Sequence, residues 1–387
     1  MTAAARAARC VLAAAAAVLP LARPPAARAQ TRDDATASQS AEYRGNEKAP
    51  GYGAAAPDLY HYDLYLPPGY SDAPARRYPC LFVMSPGGGA KLGPFAARVR
   101  RDRWIAVMLV DARNGPVGPI FGNFLAAHDD VVRRWRVAEG LKVATGFSGG
   151  STGAAAFVTL RRGFGGLLLQ GAGAHLDPKG VAGLPVFAAF GTGDPNLEGL
   201  ASLRAQMPDL GYLLLDGGHA ALPAARVDEV FDWFEGRWVA DSSRALPPEF
   251  AVELFRRRLA ALGAGGPPAR RHDDARVVAA LIARLGLRQR PDFEADVAAA
   301  DAALKALGED AALRAEVDAR AAFEAARDIE LYARAAQRGR RAEVRPLYAP
   351  RSPEDAARAY RAVAARWPDA EYGRRAAARA GPMEKSP

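Results

Sequence analysis

One serine in the sequence lies in a setting that could make it a nucleophile. It is the central residue of Gly146-Phe147-Ser148-Gly149-Gly150, which follows the apolar run Val143-Ala144-Thr145 and precedes a stretch of small residues. A serine on a sharp turn between a strand and a helix exposes its Oγ, and flanking glycines leave open the space that a Cβ would fill. The sequence therefore predicts a nucleophile elbow with Ser148 as the attacking group.

A base and an acid that could activate Ser148 follow it in the chain. A serine hydroxyl is a weak nucleophile near neutral pH unless a histidine takes its proton and a carboxylate holds that histidine in place. His219 and Asp194 each stand a few residues after an apolar run. Asp177 also follows such a run and is the alternative acid. The predicted catalytic set is Ser148, His219 and Asp194, with Asp177 as the rival to Asp194.

Short apolar runs are predicted to form the framework that brings these residues together. The runs predicted to be strands are Tyr60–Leu66, Cys80–Met84, Ile105–Val110, Val143–Thr145, Leu167–Leu169, Val186–Phe190 and Tyr212–Leu215. The segments predicted to be helices are Ala127–Ala138, Ser151–Arg161, Leu197–Gln206 and Ala224–Trp238. Continuous apolar runs are typical of strands buried on both faces of a parallel sheet, whose carboxyl ends share one edge. The predicted fold class is α/β, with a mostly parallel sheet and flanking helices.

The serial layout of these residues resembles the α/β-hydrolase superfamily over residues 59–240. The motifs that carry the resemblance are Tyr62-Asp63-Leu64-Tyr65-Leu66-Pro67-Pro68-Gly69-Tyr70, Pro86-Gly87-Gly88-Gly89 and Gly146-Phe147-Ser148. In these motifs the chain looks similar to secreted esterases of the feruloyl-esterase and polyhydroxyalkanoate-depolymerase kind. The resemblance implies an acyl-enzyme on Ser148, with His219 as base and then acid, and with Asp194 orienting the imidazole.

A tetrahedral intermediate on Ser148 would need N–H donors for its oxyanion. Gly149 follows the nucleophile and is predicted to supply one donor. Gly88 or Gly89, in the glycine run after Met84, is predicted to supply the other. The chain departs from the usual pattern just before these glycines, because Ser85-Pro86 stands where such esterases often have a histidine.

The surroundings of the predicted site indicate an open cleft without a cofactor. The chain between Gly171 and Leu184 is too short for a lid, which favours accessible or extended substrates. His175, Asn114 and Asn123 are predicted to contribute to the substrate rim. Five histidines without paired ligand spacing favour no metal site. The run Gly87-Gly88-Gly89 also lacks the Gly-Lys-Ser/Thr that completes a phosphate-binding loop.

The formal charge of +9 on 387 residues is unevenly distributed. The first 29 residues hold four arginines, no acid, an apolar run and the A-x-A site Ala27-Arg28-Ala29. This pattern predicts a signal peptide over residues 1–29, and an alanine-rich disordered leader is the alternative. The expected location is periplasmic or secreted. No later run of ~18 apolar residues predicts a transmembrane anchor after processing.

Glycine and alanine usage divides the remaining chain. Residues 30–57 are predicted to be a flexible linker, residues 58–240 an α/β-hydrolase domain, and residues 241–387 an α-helical domain. Within the last, the spacing of Ala356, Tyr360, Val363 and Pro368 resembles one helix of a tetratricopeptide repeat, and a plain helical bundle is the alternative. Its basic residues stand among acids without interleaved aromatics, which disfavours nucleic acid and leaves a protein partner as a hypothesis.

The leading hypothesis is therefore an exported serine hydrolase that cleaves carboxylic esters, including accessible or polymeric ones. A peptidase of the same fold is the nearest alternative. A non-catalytic scaffold or binding protein that retains a relic hydrolase domain is the alternative from a different class. Labelling of Ser148 by a fluorophosphonate distinguishes an enzyme from a scaffold.

Overall fold

The computed structural model describes residues 32–49, 53–338, 349 and 351–383. The predicted signal peptide lies outside these residues. The strands are β1 (Ala35–Tyr43), β2 (Lys48–Ala49), β3 (Gly53–Ala54), β4 (Asp58–Leu66), β5 (Tyr78–Met84), β6 (Ile105–Leu109), β7 (Val137–Phe147), β8 (Phe164–Gln170), β9 (Val186–Gly191) and β10 (Gly211–Leu215). The helices are α1 (Ala96–Arg101), α2 (Val117–Arg134), α3 (Gly149–Leu160), α4 (Leu197–Gln206), α5 (Val227–Ala240), α6 (Pro248–Gly263), α7 (Pro268–Arg284), α8 (Glu294–Glu309), α9 (Ala311–Arg338), α10 (Pro353–Arg366) and α11 (Glu371–Met383).

Eight strands form one sheet in the order β1-β4-β6-β5-β7-β8-β9-β10. Strand β4 pairs antiparallel with both β1 and β6, and the strands from β6 to β10 pair in parallel. Every residue of β5, β6, β8 and β9 is buried, because helices cover both faces of the sheet. This topology is that of the α/β-hydrolase fold, and the predicted mostly parallel sheet is confirmed.

The start of the fold differs from the flexible linker predicted over residues 30–57. Residues 35–43 form β1, an edge strand that pairs along its whole length with β4. Ala41 and Tyr43 are buried, whereas the intervening Glu42 is exposed. Pairing with β4 supplies the hydrogen bonds that this polar segment lacks on its own. The linker prediction is therefore wrong for β1.

Helix α2 also lies elsewhere than predicted. The sequence pattern placed a helix at Ala127–Ala138, but the helix begins at Val117 and ends at Arg134. Val137 and Ala138 instead begin β7, where both are buried. Because an apolar segment of a few residues suits a helix end and a strand start equally well, the boundary could not be read from the pattern.

The C-terminal helices share their core with the sheet. Phe250 and Leu254 of α6 belong to the same buried cluster as Phe234 and Trp238 of α5 and Leu168 of β8. On the other face, Leu331 and Ala335 of α9 join the cluster that contains Leu200 and Leu203 of α4. The all-α C-terminal region is present as predicted, and it covers parts of both faces of the α/β layer.

The last helices begin as their sequence indicates. Ser352 accepts a hydrogen bond from the amide of Asp355, and the Asp355 carboxylate accepts one from the amide of Ser352, which together form a capping box at the start of α10. Tyr360 and Val363 of α10 are buried with Phe323 of α9. Across the described part of the chain, no helix combines the length and apolarity that crossing a bilayer requires.

Candidate active site

Ser148 occupies a sharp turn between β7 and α3. Its φ of 53° and ψ of −122° lie in a region that side chains other than glycine rarely adopt. A Cβ at Gly150 would lie 2.5 Å from the carbonyl oxygen of Met84, and one at Gly146 would collide with the backbone of Gly150. These two glycines allow strand β5, strand β7 and helix α3 to meet, so the turn has the form of a nucleophile elbow.

Three side chains from three strand ends meet at this turn. The Nε2 of His219 lies 2.9 Å from the Oγ of Ser148, and the Nδ1 of His219 lies 2.9 Å from the Oδ2 of Asp194. Both distances are within hydrogen-bond range. Ser148 follows β7, Asp194 follows β9 and His219 follows β10. The structure therefore brings together the three residues selected from the sequence, in a hydrogen-bonded chain.

Asp194 is held rigidly, whereas its rival has a different role. The Asp194 side chain is fully buried, and its Oδ1 accepts a hydrogen bond of 2.8 Å from the amide of Asn196. The side-chain amide of Asn196 in turn donates to the carbonyl of Gly171. Asp177 instead accepts a hydrogen bond from the amide of Lys179, at the start of a short 3-10 turn. Of the two carboxylates, Asp194 is the one that contacts His219.

The His219 loop packs closely on the loop that follows β9. The amide of Gly193 donates to the carbonyl of Gly217 at 2.6 Å, and a Cβ at Gly191 would collide with the carbonyl of Gly218. The His219 ring also packs against Phe147, with 4.7 Å between ring centroids. These contacts fix the position and orientation of the His219 imidazole.

Gln170 links the nucleophile turn to the His219 loop. Its carbonyl accepts a hydrogen bond from the amide of Ser148 at 2.9 Å, and its Nε2 donates to the Oγ1 of Thr145 at 2.8 Å. Its Oε1 accepts a hydrogen bond from the amide of Leu222, three residues after His219. Sequence reasoning missed this residue. Its signal is a polar side chain at the end of an otherwise apolar strand, where burial requires hydrogen-bond partners.

Of the three predicted oxyanion donors, the amide of Gly149 has a suitable position, whereas the amides of Gly88 and Gly89 already form hydrogen bonds within the protein. Gly149 is the first residue of α3, so its N–H has no acceptor within the helix. The amide of Gly88 donates to the carbonyl of Ser85, and that of Gly89 donates to the carbonyl of Val110. The prediction of Gly88 or Gly89 as second donor is therefore wrong, because folding of the loop uses both amides.

The amide of Gly87, one residue before Gly88, is held less firmly than the amides of Gly88 and Gly89. Gly87 is exposed, and its amide lies 3.3 Å from the Oγ of Ser85, a side chain that can rotate away. A Cβ at Gly87 would meet only that Ser85 Oγ, at 4.0 Å. Among the glycines of this loop, Gly87 has the amide that could be redirected to a substrate oxygen.

The residues predicted for the substrate rim occupy three different environments. Asn114 is exposed and stands against Gly149, where a Cβ would collide with its side-chain amide. Asn123 is fully buried, where its Oδ1 accepts hydrogen bonds from the amides of Asp111 and Ala112. The prediction is wrong for Asn123, which braces the turn after β6. His175 is exposed beside Gly199 of α4, and its role at the rim remains a prediction.

The described residues contain no group of three or more histidine, cysteine, aspartate or glutamate side chains arranged to hold a metal ion. The only cysteine they include is Cys80, which is fully buried in β5. Burial raises the pKa of its thiol, so Cys80 stays protonated and acts as part of the core.

The chain is similar to several solved structures at low sequence identity. A ferulic acid esterase is 15% identical over 48% of this chain and 91% of its own, with a TM-score of 0.35. Est1E from Butyrivibrio proteoclasticus is 12% identical over 51% and 95%, with a TM-score of 0.38. The AtxE2 isopeptidase is 14% identical over 58% and 43%, also with a TM-score of 0.38. No family model and no curated protein matches the chain.

Proposed function

We propose that the protein is a serine hydrolase that cleaves carboxylic esters through an acyl-enzyme on Ser148. The observation that supports this most strongly is the hydrogen-bonded chain from Ser148 through His219 to Asp194, with 2.9 Å at each step. A serine, a histidine and a buried carboxylate in this arrangement can generate a nucleophile near neutral pH.

In the proposed reaction the Oγ of Ser148 attacks the ester carbonyl while the Nε2 of His219 takes its proton. His219 then passes that proton to the leaving alcohol, and a water molecule activated by the same imidazole releases the acid. Asp194 holds the imidazole in orientation and stabilises its positive charge. The N–H of Gly149, together with the N–H of Gly87 once it leaves Ser85, stabilises the oxyanion.

The access to Ser148 favours esters on accessible or extended substrates. Residues 171–185, which connect β8 and β9, contain one short 3-10 turn at Pro178–Val181. The His219 side chain remains 31% exposed. An ester presented on a polymer or a bulky alcohol can therefore approach from solvent. Export to the periplasm or the medium, guided by residues 1–29, belongs to the same proposal.

The test is labelling with a fluorophosphonate together with turnover of p-nitrophenyl acetate. The wild-type protein is expected to label once, at Ser148, and to hydrolyse the ester. Ser148→Ala should lose the label and reduce turnover by about 10³-fold or more, because it removes the nucleophile. Ser243→Ala is the matched control, since Ser243 is exposed and bonds to Asp241 beyond the end of α5.

The outcomes separate this proposal from its alternatives. A wild-type protein that neither labels nor turns over the ester would identify a scaffold with a relic hydrolase domain. Labelling at Ser148, with a peptide p-nitroanilide cleaved faster than any ester of a panel, would identify a peptidase. Equal turnover by wild type and Ser148→Ala would reject the assignment of the nucleophile.

A further inference from the structure

A cavity of about 550 Å³ lies between the end of the sheet and the last helices. Leu213 and Leu214 of β10 form one wall, Phe323 of α9 contributes to another, and residues of α11 close a third side. Asp216 also lines the cavity, three residues before His219. The cavity is therefore separate from Ser148 but adjoins the loop that carries His219.

The lining of this cavity is strongly basic. It contains two carboxylates and five arginines, namely Asp216, Glu330, Arg226, Arg327, Arg334, Arg375 and Arg379. Guanidinium groups stay charged at all ordinary pH values and present paired N–H donors that match the two oxygens of a carboxylate. The excess of positive charge in a partly apolar enclosure is the environment that an organic anion requires.

The two carboxylates engage only some of these arginines. Glu330 accepts from Arg334 at 2.6 Å and from Arg379 at 2.8 Å, and Arg379 also contacts Asp216. Glu330 further accepts a hydrogen bond from the Tyr360 hydroxyl at 2.9 Å. The Glu330 carboxylate anchors one side of the cavity, where Arg334 and Arg379 already neutralise its charge.

Arg327 is the arginine of this cavity that makes no direct ion pair with a described carboxylate, although Tyr212 and the charges of Glu324 and Asp328 act on it. Its guanidinium carbon lies 4.2 Å from the centroid of the Tyr212 ring, and it forms no ion pair with any residue in the described ranges. Its Nε is buried and has no hydrogen-bond partner there. A buried guanidinium charge without a directly paired carboxylate is costly, and a bound anion would compensate it.

Arg375 presents a second weakly paired charge on the facing helix. Its nearest carboxylate, Glu371, lies 3.8 Å away, and its guanidinium stacks over the rings of Phe323 and Tyr372. Arg327 and Arg375 thus place two guanidinium groups next to the aromatic and aliphatic wall of the same cavity.

We propose that this cavity binds an organic anion, namely a carboxylate on an apolar body. The carboxylate would pair with Arg327 and Arg375, and the apolar body would pack on Phe323, Leu213 and Leu214. The apolar wall is what distinguishes this ligand class from a small inorganic ion, which would leave most of the 550 Å³ unfilled. This binding site does not depend on the proposed esterase activity.

Calorimetric titration of the full chain with benzoate tests the proposal. Saturable binding is expected for wild type, and Arg327→Gln should weaken it about tenfold, since a charge-assisted pair is lost. Arg375→Gln keeps the contact of Arg327 with Tyr212 and should weaken binding by a similar factor. Arg374→Gln is the matched control, because Arg374 neighbours Arg375 but bonds to the carbonyl of Asp369 outside the cavity.

Neutral and inorganic probes complete the experiment. Benzyl alcohol and inorganic phosphate are expected to bind at least about tenfold more weakly than benzoate, because each lacks one of the two recognised features. Absence of saturable benzoate binding would overturn the proposal. So would equal affinity for benzoate in wild type and both cavity variants, or equal weakening by Arg374→Gln. Phosphate binding as tight as benzoate would overturn the assigned ligand class.

Discussion

Gln170 shows how a residue outside the Ser148–His219–Asp194 chain can control its geometry. Its backbone carbonyl holds the amide of Ser148, and its side chain spans from Thr145 on the nucleophile strand to the loop just after His219. A glutamine can make both side-chain bonds because it has a donor and an acceptor on one planar group. Gln170 is therefore a positioning residue for the base.

Gln170→Met should lower kcat about tenfold while KM changes little. The substitution keeps the volume but leaves the amide of Leu222 without its acceptor, so the His219 loop loses its fixed distance to Ser148. Steady-state kinetics with p-nitrophenyl acetate give the split between kcat and KM. Thr145→Val is the control, since it removes the hydrogen bonds of the Thr145 hydroxyl to Gln170 and to the Leu168 carbonyl but retains the bond from the Leu222 amide to Gln170. A Gln170→Met protein with lower thermal stability and unchanged kcat would limit Gln170 to a structural role.

At the scale of elements, a buried ionic cluster joins the helices on one side of the sheet. Glu235 of α5 accepts hydrogen bonds from Arg257 at 2.6 Å and from Arg258 at 2.5 Å, both on α6. Arg258 also donates to Asp274 of α7, and Arg98 of α1 lies 2.8 Å from Glu235. Burial alone would raise the pKa of Glu235, but the positive charges of Arg257, Arg98 and Arg258 outweigh it and hold that pKa below its ordinary value.

Glu235→Gln should reduce the free energy of unfolding by about 3–5 kcal/mol near neutral pH, because it removes the buried carboxylate that three guanidinium groups share and leaves them with fewer negative partners. The folded-state pKa of Glu235 is lowered, so its contribution is complete above about pH 4.3 and is lost as pH falls below that value. The difference between wild type and variant should therefore shrink in acid. Urea unfolding at pH 7 and at lower pH measures it.

The matched control for this prediction is Glu324→Gln. Glu324 is 45% exposed and pairs with Arg320 one turn away on α9, so its loss should cost no more than about 0.5 kcal/mol. An equal effect of both substitutions, or a difference at Glu235 that persists unchanged in acid, would contradict the inferred role of the buried cluster.

The parts of the fold that the sequence predicts well are those in which one local cause dominates. The continuous apolar runs that became β5, β6, β8 and β9 are buried on both faces, so their hydropathy alone identifies them. Strand β1 alternates small and polar residues, and its structure depends on its pairing with β4, which follows later in the chain beyond β2 and β3. No local pattern reports such a partner.

The same distinction applies to the candidate site. Residue type, order and flanking glycines identify Ser148, Asp194 and His219 because their chemistry needs those types. The failure of Gly88 and Gly89 as donors follows from hydrogen bonds to Ser85 and Val110, which exist only in the folded loop. Asn123 was predicted to lie at the substrate rim for the same reason, because its burial arises only when the chain packs.

For the whole molecule, the charge and the core lead to different divisions of the chain. The charge separates a basic leader and a basic helical region from a neutral part over residues 30–240. The core does not follow that boundary, because Phe250 and Leu254 pack with Phe234 and Trp238. The helical region therefore contributes side chains to the hydrophobic core that covers the sheet.

A chain that ends after Ala240 is expected to lose its cooperative unfolding transition. It would expose the apolar faces of α5 that α6 and α7 cover, and apolar surface is the main source of folding free energy. Thermal scans by near-ultraviolet circular dichroism, with binding of a hydrophobic dye, measure the change. A chain that ends after Arg338 retains α6–α9 and should keep a cooperative transition. Native-like stability of the shorter chain would establish residues 58–240 as an independent domain.

The position of Leu331 and Ala335 in the sheet's core also constrains when folding can finish. During synthesis, one face of the sheet lacks part of its cover until α9 has left the ribosome, some 120 residues after β10. Until then, its apolar surface is open to self-association. A polypeptide held unfolded until it has crossed a membrane avoids this interval, since all its helices are then present when the strands first pair. The shared core and the proposed export would thus suit each other kinetically.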